Sequence, residues 1–166
     1  MLPGRQRSAA AHLPDGKVLL WASGDRFSFG EEDGTTYTSL LDPATMTATE
    51  TVVTNTGHDM FCPGIANLPD GRIHVSGGST SAKTSIYDPV ARAWTMAPQM
   101  NIPRGYQGSA TLFDGSVLTY GGSWSGGIGN KTAEVWTAGG GWRVASNLTQ
   151  DHILTAESNI YRSDNH

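Results

Sequence analysis

Three times along the chain a short apolar run ends in leucine, breaks at Asp-Gly, and resumes as a second aliphatic run. The first copy is His12-Leu13-Pro14-Asp15-Gly16-Lys17-Val18-Leu19-Leu20-Trp21, followed by Ala22-Ser23-Gly24. The second is Leu68-Pro69-Asp70-Gly71-Arg72-Ile73-His74-Val75-Ser76-Gly77-Gly78, and the third Leu112-Phe113-Asp114-Gly115-Ser116-Val117-Leu118-Thr119-Tyr120-Gly121-Gly122. Asp-Gly between alternating apolar residues predicts a hairpin, because glycine takes the positive φ such turns need. The paired glycines predict close backbone packing where the strand leaves its sheet.

Each copy continues in the same order. Copy two runs on to Thr84-Ser85-Ile86-Tyr87-Asp88-Pro89 and Ala93-Trp94-Thr95, copy three to Ala133-Glu134-Val135-Trp136 and Gly141-Trp142-Arg143. Copy one runs on to Tyr37–Pro43 and a fourth run over Thr49–Val53. Helical periodicity is absent. Four short strands per unit, with Asp-Gly, Gly-Gly, Tyr and Trp in fixed order, predict an all-β fold: a kelch-type β-propeller. An open antiparallel sandwich is the alternative. The expected units are about 7–54, 58–98 and 102–146, with 147–166 as the start of another blade. Propellers need about four to eight blades. Three would leave exposed strand edges, so the 166 residues are expected to be an incomplete propeller from a longer protein.

Composition narrows the function. Net charge is −4, which argues against a nucleic-acid or anionic-membrane surface. One cysteine excludes an internal disulfide and a CxxC metal site. No run is apolar for long enough to span a membrane as a helix, and the first residues carry no apolar secretory core.

That lone cysteine sits in Gly57-His58-Asp59-Met60-Phe61-Cys62-Pro63-Gly64. Cys62 lies six residues before Leu68, and Tyr106 lies six before Leu112. The two hold one position in successive repeats, and equivalent positions of neighbouring blades lie side by side near the channel mouth. Cys62 and Tyr106 are therefore expected to be neighbours in space. The plainer alternative is a buried free cysteine against a packed tyrosine. Trp124 falls in a Ser/Gly loop after Gly121-Gly122, away from the repeat's own tryptophan position held by Trp94 and Trp142. A loop tryptophan of that kind points to a site.

Four words, His58–Ile65, Arg104-Gly105-Tyr106-Gln107, Gly121–Gly127 and Tyr161-Arg162-Ser163-Asp164-Asn165-His166, closely resemble those of the copper radical oxidases of the galactose oxidase type, in the same order. The resemblance runs from about residue 10 to the end of the chain. It implies a Cys62–Tyr106 thioether, a copper ligand in the Tyr106 phenolate, and Trp124 stacked over the cross-link. It implies Arg162 on sugar hydroxyls and Phe29 lining the sugar pocket, with Phe27 the alternative to Phe29. His58 is expected to support its loop. The implied reaction oxidises a primary alcohol, such as galactose C6-OH, and reduces O2 to hydrogen peroxide through copper and a tyrosyl radical. The implied protein is secreted and monomeric, with no nucleic-acid or membrane partner. A non-catalytic kelch-propeller binding module is the rival reading.

The family's copper site also needs a second tyrosine and two histidines. None of the five histidines here, His12, His58, His74, His152 and His166, forms a close pair with ligand spacing. One phenolate is a poor copper(II) site by itself, since such sites take several nitrogen or oxygen donors. The isolated 166 residues are therefore expected neither to hold copper tightly nor to turn over. Calorimetric titration with copper checks this, and tight binding of one copper per chain refutes it.

Overall fold

The computed structural model describes residues 9–25, 33–127 and 129–149. Its strands form three four-stranded antiparallel sheets, with no helix among the described residues. The first sheet holds β1 (Ala9–His12), β2 (Val18–Trp21), β3 (Thr36–Asp42) and β4 (Thr47–Val53). The second holds β5 (Gly64–Asn67), β6 (Ile73–Ser76), β7 (Thr84–Asp88) and β8 (Ala93–Ala97). The third holds β9 (Gly108–Thr111), β10 (Val117–Tyr120), β11 (Glu134–Thr137) and β12 (Gly141–Val144). Each sheet is a meander whose spatial order follows the chain, and the three do not close into a ring. This is the incomplete kelch-type propeller that the repeat predicts. The start of a further blade falls mostly in 150–166, outside the described residues.

The Asp-Gly words build one turn three times. Gly16 N donates to Leu13 O at 3.0 Å, Gly71 N to Leu68 O at 2.9 Å and Gly115 N to Leu112 O at 2.9 Å. The next residue's carbonyl then accepts from the leucine amide: Lys17, Arg72 and Ser116 at 2.9, 2.8 and 2.8 Å. The glycines sit at φ of 83°, 86° and 83°, the left-handed place that closes a type I turn with a bulge. The aspartates at 15, 70 and 114 each accept the amide two residues on, fixing the turn from inside.

The sheets pack in one register. Asn67 Nδ2 donates to His12 O at 3.3 Å, and Thr111 Oγ1 donates to Asn67 O at 2.5 Å, so the residues preceding each repeat's leucine contact one another. Pro14 lies against Gly71, and Pro69 against Gly115. Apolar side chains fill the space between sheets. Leu19 and Trp21 of the first meet Ile73, Val75 and Trp94 of the second, and Leu68 and Ile86 of the second meet Val117 and Trp136 of the third.

All four side chains of β6 are buried, because the middle sheet has a neighbour on each face. Period-two alternation sends Ile73 and Val75 to one side and His74 and Ser76 to the other. His74 is fully buried, its ring 4.6 Å from Trp136 and 5.4 Å from Trp142 by centroid. Burial holds His74 near a pKa of about 3, helped by nearby His58, and holds His58 near about 4.

Both values lie below the ordinary 6.5, so the unfolded chain binds protons that the folded chain refuses. Stability is full above that pH and falls on acidification, each histidine contributing up to ~1.4 kcal/mol per pH unit. Asp59, raised to about 6, acts oppositely between its ordinary 3.8 and that value and offsets part of the slope. Urea midpoints are expected to drop between pH 6.5 and 4. His74→Leu is expected to flatten that limb, which denaturation at stepped pH checks.

Candidate active site

The loop before β5 carries Cys62, and the first sheet holds it down. Trp21 Nε1 donates to Met60 O at 3.1 Å, and Thr36 Oγ1 donates to His58 O at 2.8 Å while accepting from Met60 N at 2.9 Å. From the second sheet, His58 bonds Ser85 Oγ at 2.9 Å through Nδ1 and Gly77 O at 2.8 Å through Nε2. The Gly77 carbonyl must accept from Nε2–H, which leaves Nδ1 to accept from the serine. Asp59 Oδ1 caps the turn by accepting from Phe61 N at 3.1 Å. Burial is the main cause of this carboxyl's elevation, opposed by the Phe61 amide and reinforced by Asp33.

The loop before β9 carries Tyr106, and a buried ion pair anchors it. Arg104 and Glu134 are both wholly inaccessible, with Nη2 and Oε2 3.2 Å apart. The guanidinium also donates to Ile102 O at 3.2 Å, Gly121 O at 2.8 Å, Lys131 O at 3.4 Å and Thr132 O at 2.7 Å. Glu134 in turn accepts from the amides of Asn101 at 2.9 Å and Ile102 at 3.0 Å. The fork geometry of arginine suits such a divergent set of acceptors.

Gly77-Gly78 is where the two loops meet. A side chain at Gly78 would collide with Phe61 O, and one at Gly77 with Arg104 O, while Gly78 N donates to Arg104 O at 3.0 Å. Only glycine lets both carbonyls come that near. Tyr106 N then donates to Cys62 O at 2.9 Å. Cys62 and Tyr106 sit at φ of 56° and 60°, left-handed values uncommon for side-chain-bearing residues. Equivalent positions in the repeat thus share a backbone conformation. Such strain persists where the surroundings over-determine it and collects at functional sites.

The sequence-based neighbours are therefore neighbours. The Cys62 thiol and the Tyr106 hydroxyl come near enough for each to shift the other's ionisation. The thiol, with burial behind it, pushes the phenol up to about 12. Burial raises the thiol, the tyrosine hydroxyl lowers it, and the Asp59 carboxylate raises it further. Cys62 is 6% exposed and Tyr106 39%, so the pair opens to solvent on the phenol side.

Trp124 stands at that opening, 42% exposed, its ring edge-on to Tyr106 at 5.1 Å and to Phe61 at 5.7 Å, rather than stacked face to face over the tyrosine as the family resemblance implies. Trp94, at the repeat position, is buried in the blade packing. The separation of loop tryptophan from packing tryptophan, read from the sequence, matches these places. Phe29 and Arg162, with Phe27, lie outside the described residues. Sequence reasoning missed Arg104, Glu134, Lys131 and Phe61 as parts of the site. Glu134 carried a faint signal: an acid on the inward phase of an otherwise apolar strand.

Among the described residues no group of three His, Cys, Asp or Glu could hold a metal. Tyr106 is one oxygen donor of the kind copper accepts. Because the Cys62 thiol is the largest cause of the raised phenol, Cys62→Ala is expected to move Tyr106 ionisation down toward the ordinary 10 in protein without a cross-link. Ultraviolet difference titration against Tyr106→Phe checks this.

No family model matches the chain. Two curated galactose oxidase sequences from Gibberella zeae are 44% identical over 168 aligned residues, covering 99% of this chain and 25% of each relative. A fungal alcohol oxidase of the AA5 family, solved in complex with copper, superposes with a TM-score of 0.82 at 34% identity, over 94% of this chain and 34% of that one. The chain spans about a quarter of the length of the curated relatives it matches. Sequence and structure agree that it is similar, along nearly all its length, to one stretch of galactose oxidase and of a copper-dependent alcohol oxidase.

Proposed function

We propose that the chain supplies part of the active site of a secreted, monomeric copper radical oxidase that converts a primary alcohol, galactose C6-OH or similar, to its aldehyde while O2 becomes hydrogen peroxide. One observation carries this reading: Cys62 and Tyr106, each in a left-handed conformation on adjacent sheets, are joined by the bond from Tyr106 N to Cys62 O, with Trp124 edge-on to the tyrosine ring. A packing cysteine in a scaffold needs neither a left-handed backbone nor a half-exposed tyrosine partner. The proposed limits of the partial propeller are residues 1–166, with blade units at about 7–54, 58–98 and 102–146, and 147–166 opening another.

Cys62 would form the thioether with a ring carbon next to the Tyr106 hydroxyl. The new C–S bond replaces the thiol S–H and a ring C–H, and the two electrons and two protons pass to O2 in a copper-dependent oxidation. Tyr106 would then serve as a copper ligand through its phenolate and as the seat of the radical, the sulfur making the ring easier to oxidise. Copper, when bound, would take one of the two electrons removed from the alcohol while the tyrosyl radical takes the other. Tyr106 fits this donor role with its half-exposed phenol, whose proton must leave on binding. The family resemblance calls for a second tyrosine and two histidines besides Tyr106, and no His pair with ligand spacing stands in the sequence, so the 166 residues taken alone are proposed to be inactive. Trp124 would shield one side of the ring from water by its edge-on contact. Arg162 would hold neighbouring sugar hydroxyls through its planar fork, and Phe29 would line the sugar's apolar face.

Tryptic mapping of the full-length, copper-exposed protein tests the reading. The expected result is one cross-linked peptide pair containing Cys62 and Tyr106, two hydrogens lighter than its parts. Two separate linear peptides would instead support the kelch-propeller binding module.

A further inference from the structure

The loop that presents Trp124 is fastened through its backbone just past the indole. Lys131 is 1% exposed, a costly place for an ammonium unless it is well bonded. Its Nζ donates to Ser125 O at 3.2 Å, to Gly126 O at 3.0 Å and to Pro103 O. The first two carbonyls immediately follow Trp124. The third lies three residues before Tyr106. One cation therefore ties the tryptophan loop to the tyrosine loop.

Backbone packing supports the same tie. Gly126, at φ 67°, lies against Pro103, where a side chain would come within 2.5 Å of its carbonyl oxygen. A side chain at Gly105 would meet Trp124 Cε3 at 2.8 Å, so the indole rests on the bare backbone next to Tyr106. Gly105 and Ser123 form a parallel bridge, and Ser125 Oγ donates to Gly78 O at 2.7 Å. Trp124 is 42% exposed, and its ring contacts in the site, Phe61 and Tyr106, are edge-on. Edge-on ring contacts are weak, so the position of the indole depends on how its loop is tied, and the Lys131 clasp gathers the most backbone carbonyls of those ties.

We propose that Lys131 is a positioning residue: its ammonium clasps the carbonyls of Pro103, Ser125 and Gly126 and so sets Trp124 edge-on at Tyr106. The consequence for a Cys62–Tyr106 radical rests on the function proposed above, but the placement of Trp124 does not. Lys131→Met keeps the length of the side chain and removes every donor. Lys131→Arg keeps the charge but spreads its donors over a plane that cannot gather three carbonyls at one nitrogen.

The full-length protein labelled with 5-fluorotryptophan reads the placement by fluorine NMR, with Trp124→Phe assigning the signal. The expected result is a displaced or broadened Trp124 signal in Lys131→Met, a smaller displacement in Lys131→Arg, and unmoved signals for the buried Trp21 and Trp94. A Trp124 signal unmoved in a folded variant overturns the proposal. If Lys131→Met does not fold, Lys131→Arg alone decides by the same criterion. In copper-loaded, cross-linked protein, the tyrosyl radical signal is expected to decay several-fold faster in Lys131→Met at equal copper content. A wild-type protein with no cross-link or radical would sink the oxidase reading and leave the fluorine result standing.

Discussion

The site depends on burying two opposite charges in one place. Arg104 and Glu134 are both cut off from water, and neither could be so without the other. Apart from the Asn101 side-chain amide, which donates to Glu134, their remaining bonding capacity is spent on backbone, and that backbone is the approach to Tyr106 together with the stretch from Gly121 to Thr132. An ion pair of this kind adds little net stability compared with an apolar substitute. What it supplies is a fixed geometry, because every wrong arrangement leaves a charge or a carbonyl unpaired in the interior. Lys131 repeats the device one step outward, with three carbonyls in place of an acid.

The repeat prepares what the charges lock. In adjacent sheets the segment before the inner strand turns through a left-handed residue, Cys62 in one and Tyr106 in the next. The Gly77-Gly78 pair leaves room for both segments to approach, and the Tyr106 amide joins them by bonding the Cys62 carbonyl. A structural repeat thus becomes a chemical pair when unlike side chains occupy one equivalent position. The neighbouring thiol and burial push the phenol above its ordinary 10, so a cation that binds the phenolate must displace a proton held more firmly than in a free tyrosine.

Much of the architecture was legible because its signals are local. Asp15-Gly16, Asp70-Gly71 and Asp114-Gly115 specify one bulged turn through the φ of glycine and the reach of aspartate, and neither depends on distant contacts. The proximity of Cys62 to Tyr106 was legible by a second step: once the repeat is recognised, equal phase in adjacent blades means nearness. Trp124 stood out because it broke the repeat's phase. Glu134 gave only a faint signal, through its inward phase, and Arg104 and Lys131 gave none. Charged residues are ordinarily solvated, and nothing local separates a buried cation from a surface one.

The sequence by itself determined the strands, their turns, the meander order and the phase that pairs residue 62 with residue 106. These follow from side-chain alternation and from backbone conformations that glycine and aspartate favour over a few bonds. Tertiary structure decided which charges were buried, which carbonyls they gathered, and how far Trp124 stands from Tyr106. Those outcomes depend on desolvation and on donors brought together from segments about thirty residues apart, Arg104 to Glu134 and Pro103 to Lys131. Desolvation has no meaning along an extended chain; it arises only when sheets pack and water leaves.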